Sequence, residues 1–136
     1  LHSGSLYSAR LFETGDRGGN AIRIGDSNLH ARWDQAMRGA DDQAIDLLSA
    51  ASNKDLSNRA SDWALWLAES RSHLRPSVYS DAILDAIRLA ETNSANRLPS
   101  QSLSDDYIAN MIEIASERLS LAGLRLAIWF QNELSD

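Results

Sequence analysis

From Ser104 to Leu134 the chain carries one long apolar stripe. Ile108, Met111, Ile112, Ala115, Leu119, Ala122, Leu126 and Trp129 recur at three- and four-residue spacing, as in a single amphipathic helix. Ser104 suits its N-cap, and Asp105 and Asp106 suit the positive end of its dipole. At 1.5 Å per residue this helix is about 45 Å long. A stripe of that length is best buried against other helices, so the expected fold class is all-α, a helical bundle.

Further helices are expected upstream. Asp26 or Ser27 can cap a helix running to about Arg38, with Gly39 at its end. Asp41 and Asp42 open a second, with Ala44, Ile45, Leu48 and Ala51 on one face. A third runs from about Leu56 to Leu74 with the face Ala60, Trp63, Ala64 and Leu67, and Pro76 ends it or starts the next. A fourth, about Ser77 to Glu91, groups Ile83, Ala86, Ile87 and Ala90. The polar stretch Thr92 to Leu103, with Pro99 inside it, reads as a loop.

The first 28 residues differ. Five of the seven glycines, Gly4, Gly15, Gly18, Gly19 and Gly25, fall there, so an N-terminal Gly-rich loop is expected. Ala9 to Phe12 and Ala21 to Ile24 flank its turn and could pair as a small hairpin. A hydrophobic share of 43% and a length of 136 residues allow one domain with a real core. No apolar run reaches the roughly 18 residues a membrane span needs. The absence of cysteine excludes disulfides and thiolate metal sites. A net charge of −6 argues against wrapping duplex DNA, but not against an enzyme that meets phosphate through bound cations.

Few residues could carry chemistry. His30 and Asp34 are four apart, so one helix face presents both to a common ion. Imidazole and carboxylate are good zinc ligands, although the same spacing serves a plain surface ion pair. His2 adds a candidate third ligand, or a solvated residue near a chain end. Three protein ligands and an open position are the catalytic zinc pattern. The loop Gly15-Asp16-Arg17-Gly18-Gly19-Asn20 lets a ligand approach the main chain, and the Asn20 amide offers a donor and an acceptor. It is equally a plain turn. Arg17, Arg23 and Arg32 read as phosphate contacts or as a solvated face. His73 reads as a structural helix-end residue, and Trp33, Trp63, Trp66 and Trp129 as core aromatics before a base-stacking platform. No nucleophile elbow or phosphate-binding P-loop is present.

The order of these pieces carries a resemblance. Leu1-His2, then Asp16-Arg17-Gly18-Gly19-Asn20, then Asn28-Leu29-His30-Ala31-Arg32-Trp33-Asp34 is similar to the zinc-dependent single-strand nucleases of the S-one/P-one type, relatives of zinc phospholipase C. Trp66-Leu67-Ala68-Glu69-Ser70 and Ala122-Gly123-Leu124-Arg125-Leu126-Ala127 resemble two later elements of the same family. The resemblance implies a largely α-helical enzyme with three zinc ions. Such an enzyme hydrolyses single-stranded RNA and DNA and removes 3′-phosphates from nucleotides. It implies His2, His30 and Asp34 as the ligands of one zinc, and Gly18, Gly19 and Asn20 as part of a nucleobase pocket.

The family's remaining ligands have no counterpart in the 136 residues, and the 28-residue interval from His2 to His30 is longer than the family's usual one. The chain is therefore expected to be the C-terminal portion of a larger nuclease domain, inactive alone and able to associate with the missing part or with itself. A secreted or periplasmic location follows from the resemblance, and the lack of cysteine suits a bacterial member. The alternatives are a non-catalytic metal- or nucleotide-binding helical module, a phospholipase C-like hydrolase, and a purely structural self-associating fragment.

Overall fold

A computed structural model describes residues 4–36, 38 and 62–134. His2, Gly39 and the expected helix opened by Asp41 and Asp42 lie outside the described residues, as does Ala60. Among the described residues the fold is all-α with one minimal hairpin. Strands β1 (Arg23–Ile24) and β2 (Ser27–Asn28) lead directly into helix α1 (Leu29–Ala36). Helix α2 (Trp63–Ser72), a π-helical turn (Leu74–Val78), helix α3 (Asp81–Thr92) and helix α4 (Asp105–Glu133) follow.

The hairpin forms elsewhere than the sequence pattern suggests. Ala9 to Phe12 does not pair with Ala21 to Ile24. Phe12 instead bridges back to Ser8, while Arg23 and Ile24 pair with Asn28 and Ser27. The local partner wins because Gly25, at φ 58, closes a two-residue loop that needs a positive φ. Gln101 takes the other edge, donating its N–H to Arg23 O at 2.9 Å. The same pairing corrects the expected cap. Ser27 and Asn28 belong to β2, and Asn28 Oδ1 accepts the Ala31 N–H at 2.8 Å, capping α1.

Helix α3 buries Ile83, Leu84, Ile87 and Ala90, the expected face widened by Leu84. They meet Phe12, Ile22, Ile24, Leu29, Val78, Tyr79 and Leu98 in one core. Arg75 is extended at φ −122 and ψ 122, the conformation imposed on a residue before proline, and this kinks the chain within the turn.

Helix α4 starts where expected, with Ser104 Oγ accepting the Tyr107 N–H at 3.2 Å. Its buried face is rotated from the expected stripe. Met111, Ile114, Ala115, Ser120, Leu121 and Arg125 are buried, whereas Ile108, Ile112, Leu119, Leu126 and Trp129 stay exposed. The cause is an ion cluster. Arg118 and Arg125 are seven residues apart on one face of α4. Both reach Glu69 on α2, at 2.9 and 2.8 Å. Arg125, only 3% exposed, also lies over Trp66 at 5.2 Å. Helix α2 therefore docks through Trp66, Glu69 and Ser70, not through the face Trp63, Ala64 and Leu67. Trp63 is 67% exposed, so it and Trp129 are not core residues.

Burial works to raise the Glu69 pKa, but hydrogen bonds from Arg118 and Arg125 win and hold it below the ordinary value of 4.5. A depressed carboxylate contributes stability above its unfolded pKa and loses it as pH falls through the folded value. The wild-type chain is therefore expected to lose stability progressively below pH 4.5. Glu69→Ala strands buried Arg125 and should cost on the order of 3 kcal/mol at neutral pH. It should also flatten that acid-side slope. Urea unfolding across pH checks both.

Candidate metal and nucleobase site

The site is built on a buried carboxylate. Asp16 is fully buried, and four donors surround it. Oδ1 accepts the N–H of Leu6 at 2.9 Å and of Gly18 at 3.1 Å. Oδ2 accepts the N–H of Gly19 and the hydroxyl of Tyr79, each at 2.9 Å. Burial, and then the Asp16 carboxylate, push the Tyr79 hydroxyl's pKa well above its ordinary range, so it remains a donor.

Wrapped around this carboxylate, Arg17, Gly18 and Gly19 take φ values of 55, 63 and 89. Three successive left-handed residues turn the loop tightly. At Gly19 the demand is double, because an added Cβ would stand 3.2 Å from His30 N and 3.3 Å from Leu29 Cβ. The loop thus lies flush against the start of α1. Asn20 is exposed, and its Nδ2 donates to Arg17 O at 2.9 Å.

The loop meets α1 through His30. Its Nδ1 lies 2.9 Å from Gly18 O. A carbonyl only accepts, so Nδ1 carries the proton in this contact. Nε2 points along the helix face and stands 3.5 Å from Asp34 Oδ2. In the neutral ring, an imidazole lone pair and a carboxylate then converge at a distance too long for a direct charge-assisted hydrogen bond. Such a pair suits a shared cation. Both residues are of a type that zinc takes as ligands, and a backbone carbonyl is the kind of outer partner that fixes a ligating histidine.

Trp33, on the same helix, is anchored from behind. Its Nε1 donates to Tyr107 Oη at 2.9 Å, and Tyr107 donates onward to Val78 O at 2.8 Å. Burial pushes the Tyr107 pKa up to about 12, against the lowering effect of the Trp33 hydrogen bond. This ties α1 to α4, which keeps the face of α1 that carries His30 and Asp34 from rolling.

Of the six residues that the resemblance implies, Gly18 and Gly19 touch His30, which faces Asp34, and Asn20 follows on the same loop, bonded to Arg17 O. His2 lies outside the described residues, and among those described no group of three or more metal-ligating side chains forms. Arg17 is exposed in the loop, and Arg23 donates to Gly25 O at 3.4 Å. Arg32 lines a cavity of about 510 Å³ with Gln35, Arg38 and Met111. His73 follows the end of α2 and lines a cavity of about 310 Å³ that Trp33 and Asp34 also border. Sequence reasoning missed the part played by Asp16. Its signal was there: an aspartate two and three residues before glycines is placed to accept their N–H groups. Nothing in the sequence marks Tyr79 as the support of Asp16, or Tyr107 as the support of Trp33.

The fold and site define an all-α protein with an imidazole–carboxylate pair beside a glycine loop. The S1/P1 Nuclease family model matches residues 1–135, and the chain belongs to that family of nucleases, a class of hydrolases. No curated protein and no solved structure matches the chain.

Gly19→Ala should destabilise the chain by at least about 1–2 kcal/mol, the cost of a left-handed alanine, with the close contact to His30 N adding to it. The shift of the urea midpoint measures this.

Proposed function

We propose that the chain serves zinc-dependent hydrolysis of phosphodiesters in single-stranded RNA and DNA, together with removal of 3′-phosphates from nucleotides. The observation that carries this reading is the convergence of His30 Nε2 and Asp34 Oδ2 at 3.5 Å, with Nδ1 held by Gly18 O. Membership of a nuclease family supports it. In this reading His2, His30 and Asp34 hold one zinc ion, and Gly18, Gly19 and Asn20 receive a nucleobase.

When bound, zinc supplies Lewis acidity that activates water and offsets charge on the phosphate. The chain's own residues do the rest. Gly18 O holds the imidazole with Nε2 outward. Asp34, half exposed, offers its carboxylate from the solvent side. Asn20 is oriented by its bond to Arg17 O. Its Oδ1 then serves as an acceptor for a base N–H, while buried Gly18 and Gly19 keep the loop backbone that carries Asn20 close against α1. Arg17, exposed on the same loop, would meet the phosphate. The secreted or periplasmic location implied by the resemblance goes with this reading.

One ligand set holds at most one ion, so the 136 residues by themselves should bind one zinc per chain. Without the other ions of the family's cluster, robust turnover by this chain alone is not expected. Calorimetric titration with zinc tests the assignment. His30→Ala and Asp34→Ala should each weaken binding at least tenfold while the circular dichroism stays that of the wild type. Wild-type affinity in both variants would refute the ligand assignment. Rapid cleavage of single-stranded nucleic acid by the chain alone would refute the statement on turnover.

A further inference from the structure

The ligand His30 is held by Gly18 O, but a carbonyl in a glycine loop points nowhere by itself. Glycines at positions 18 and 19 cost the most backbone entropy to order and impose no direction. Something must fix the peptide between them. Its plane is set from the amide side, and both flanking N–H groups, of Gly18 and Gly19, end on the same buried side chain at 3.1 and 2.9 Å. That side chain is Asp16. Ser5 Oγ also accepts the Gly18 N–H at 3.2 Å, but the Gly19 N–H goes to Asp16.

We infer that Asp16 is a positioning residue for the metal ligand: its buried carboxylate orients the Gly18–Gly19 peptide so that Gly18 O selects the Nδ1–H form of His30 and turns Nε2 toward Asp34. The chain of contacts is continuous. Tyr79 Oη and Leu6 N hold Asp16, Asp16 holds the Gly18 and Gly19 amides, and Gly18 O holds His30 Nδ1. The loop assigned to the nucleobase and the ligand assigned to zinc therefore share one internal support. Neutral histidine ordinarily favours the proton on Nε2, which would block the nitrogen that faces Asp34. Holding the other form thus matters to metal binding in a way that mere packing does not.

The inference rests on the zinc reading for its consequence, but not for its first test. In the metal-free chain, nitrogen NMR of the neutral His30 ring reports which nitrogen carries the proton. The wild type should show Nδ1–H as the dominant form. Asp16→Asn keeps Oδ1 for Leu6 and Gly18 but sets an amide against the Gly19 N–H, so the Nδ1–H share should fall. Asp16→Ala should lower it further, toward an Nε2–H majority. Zinc affinity should fall in the same order, by roughly 10–100-fold for the alanine variant, as for lost outer-sphere support. An unchanged ring form in a folded Asp16→Asn chain would overturn the inference. If neither variant folds, the wild type decides alone: a His30 ring protonated mainly on Nε2 would equally overturn it. A wild-type chain with the expected ring form but no zinc binding would sink the metal reading and leave the relay standing.

Discussion

A buried carboxylate must be met by donors, and the way Asp16 is met determines the loop, the contact with His30 and the entry to α1. Its four partners come from Leu6, the Gly18 and Gly19 amides, and Tyr79. One side chain thus ties the N-terminal segment to the loop and the loop to the region between α2 and α3. Leaving any buried donor or acceptor of this set unpaired costs about 1–3 kcal/mol, so the alternatives to this loop geometry are poorly populated. The left-handed run at residues 17–19 is the conformation that lets two consecutive amides turn onto one carboxylate.

The helical part depends on a second buried charge group of a different kind. Glu69 gathers Arg118 and Arg125 from α4, with Trp66 beneath the Arg125 guanidinium. Ion pairs of this sort add little net stability, but they impose orientation, because the arginines lose much more if they face elsewhere. The rotation of α4 follows, and with it the choice of Ile114 and Leu121 over Ile112 and Leu119 as buried residues. Trp33 then reads that rotation through Tyr107, which links the orientation of the long helix to the helix that bears His30 and Asp34.

What the sequence made legible was local. The Ser104 cap, the apolar face of α3 and the i, i+4 placement of His30 and Asp34 each depend on residues within one or two turns. What it concealed was set by distant partners. Glu69 lies 49 and 56 positions from the arginines that decide the face of α4. The stripe alone could not show which of its neighbours would be buried. The hairpin was misplaced for a related reason: apolar-polar alternation at Ala9–Phe12 and Ala21–Ile24 carries no register, while Gly25 and Gln101 supply one. Asp16 read as an ordinary turn residue because a pattern does not report burial, and its hydroxyl partner is 63 positions away. The family itself was legible from motif order, and the match over residues 1–135 agrees with it.

In the proposed site, His30 and Asp34, joined by His2, hold one zinc ion. X-ray absorption of the zinc-loaded chain tests it most directly. The proposed site predicts a shell containing two imidazole nitrogens and one carboxylate oxygen at about 2.0–2.2 Å, in low coordination number. A spectrum of oxygen ligands alone, without the outer-shell scattering of imidazole rings, would contradict it.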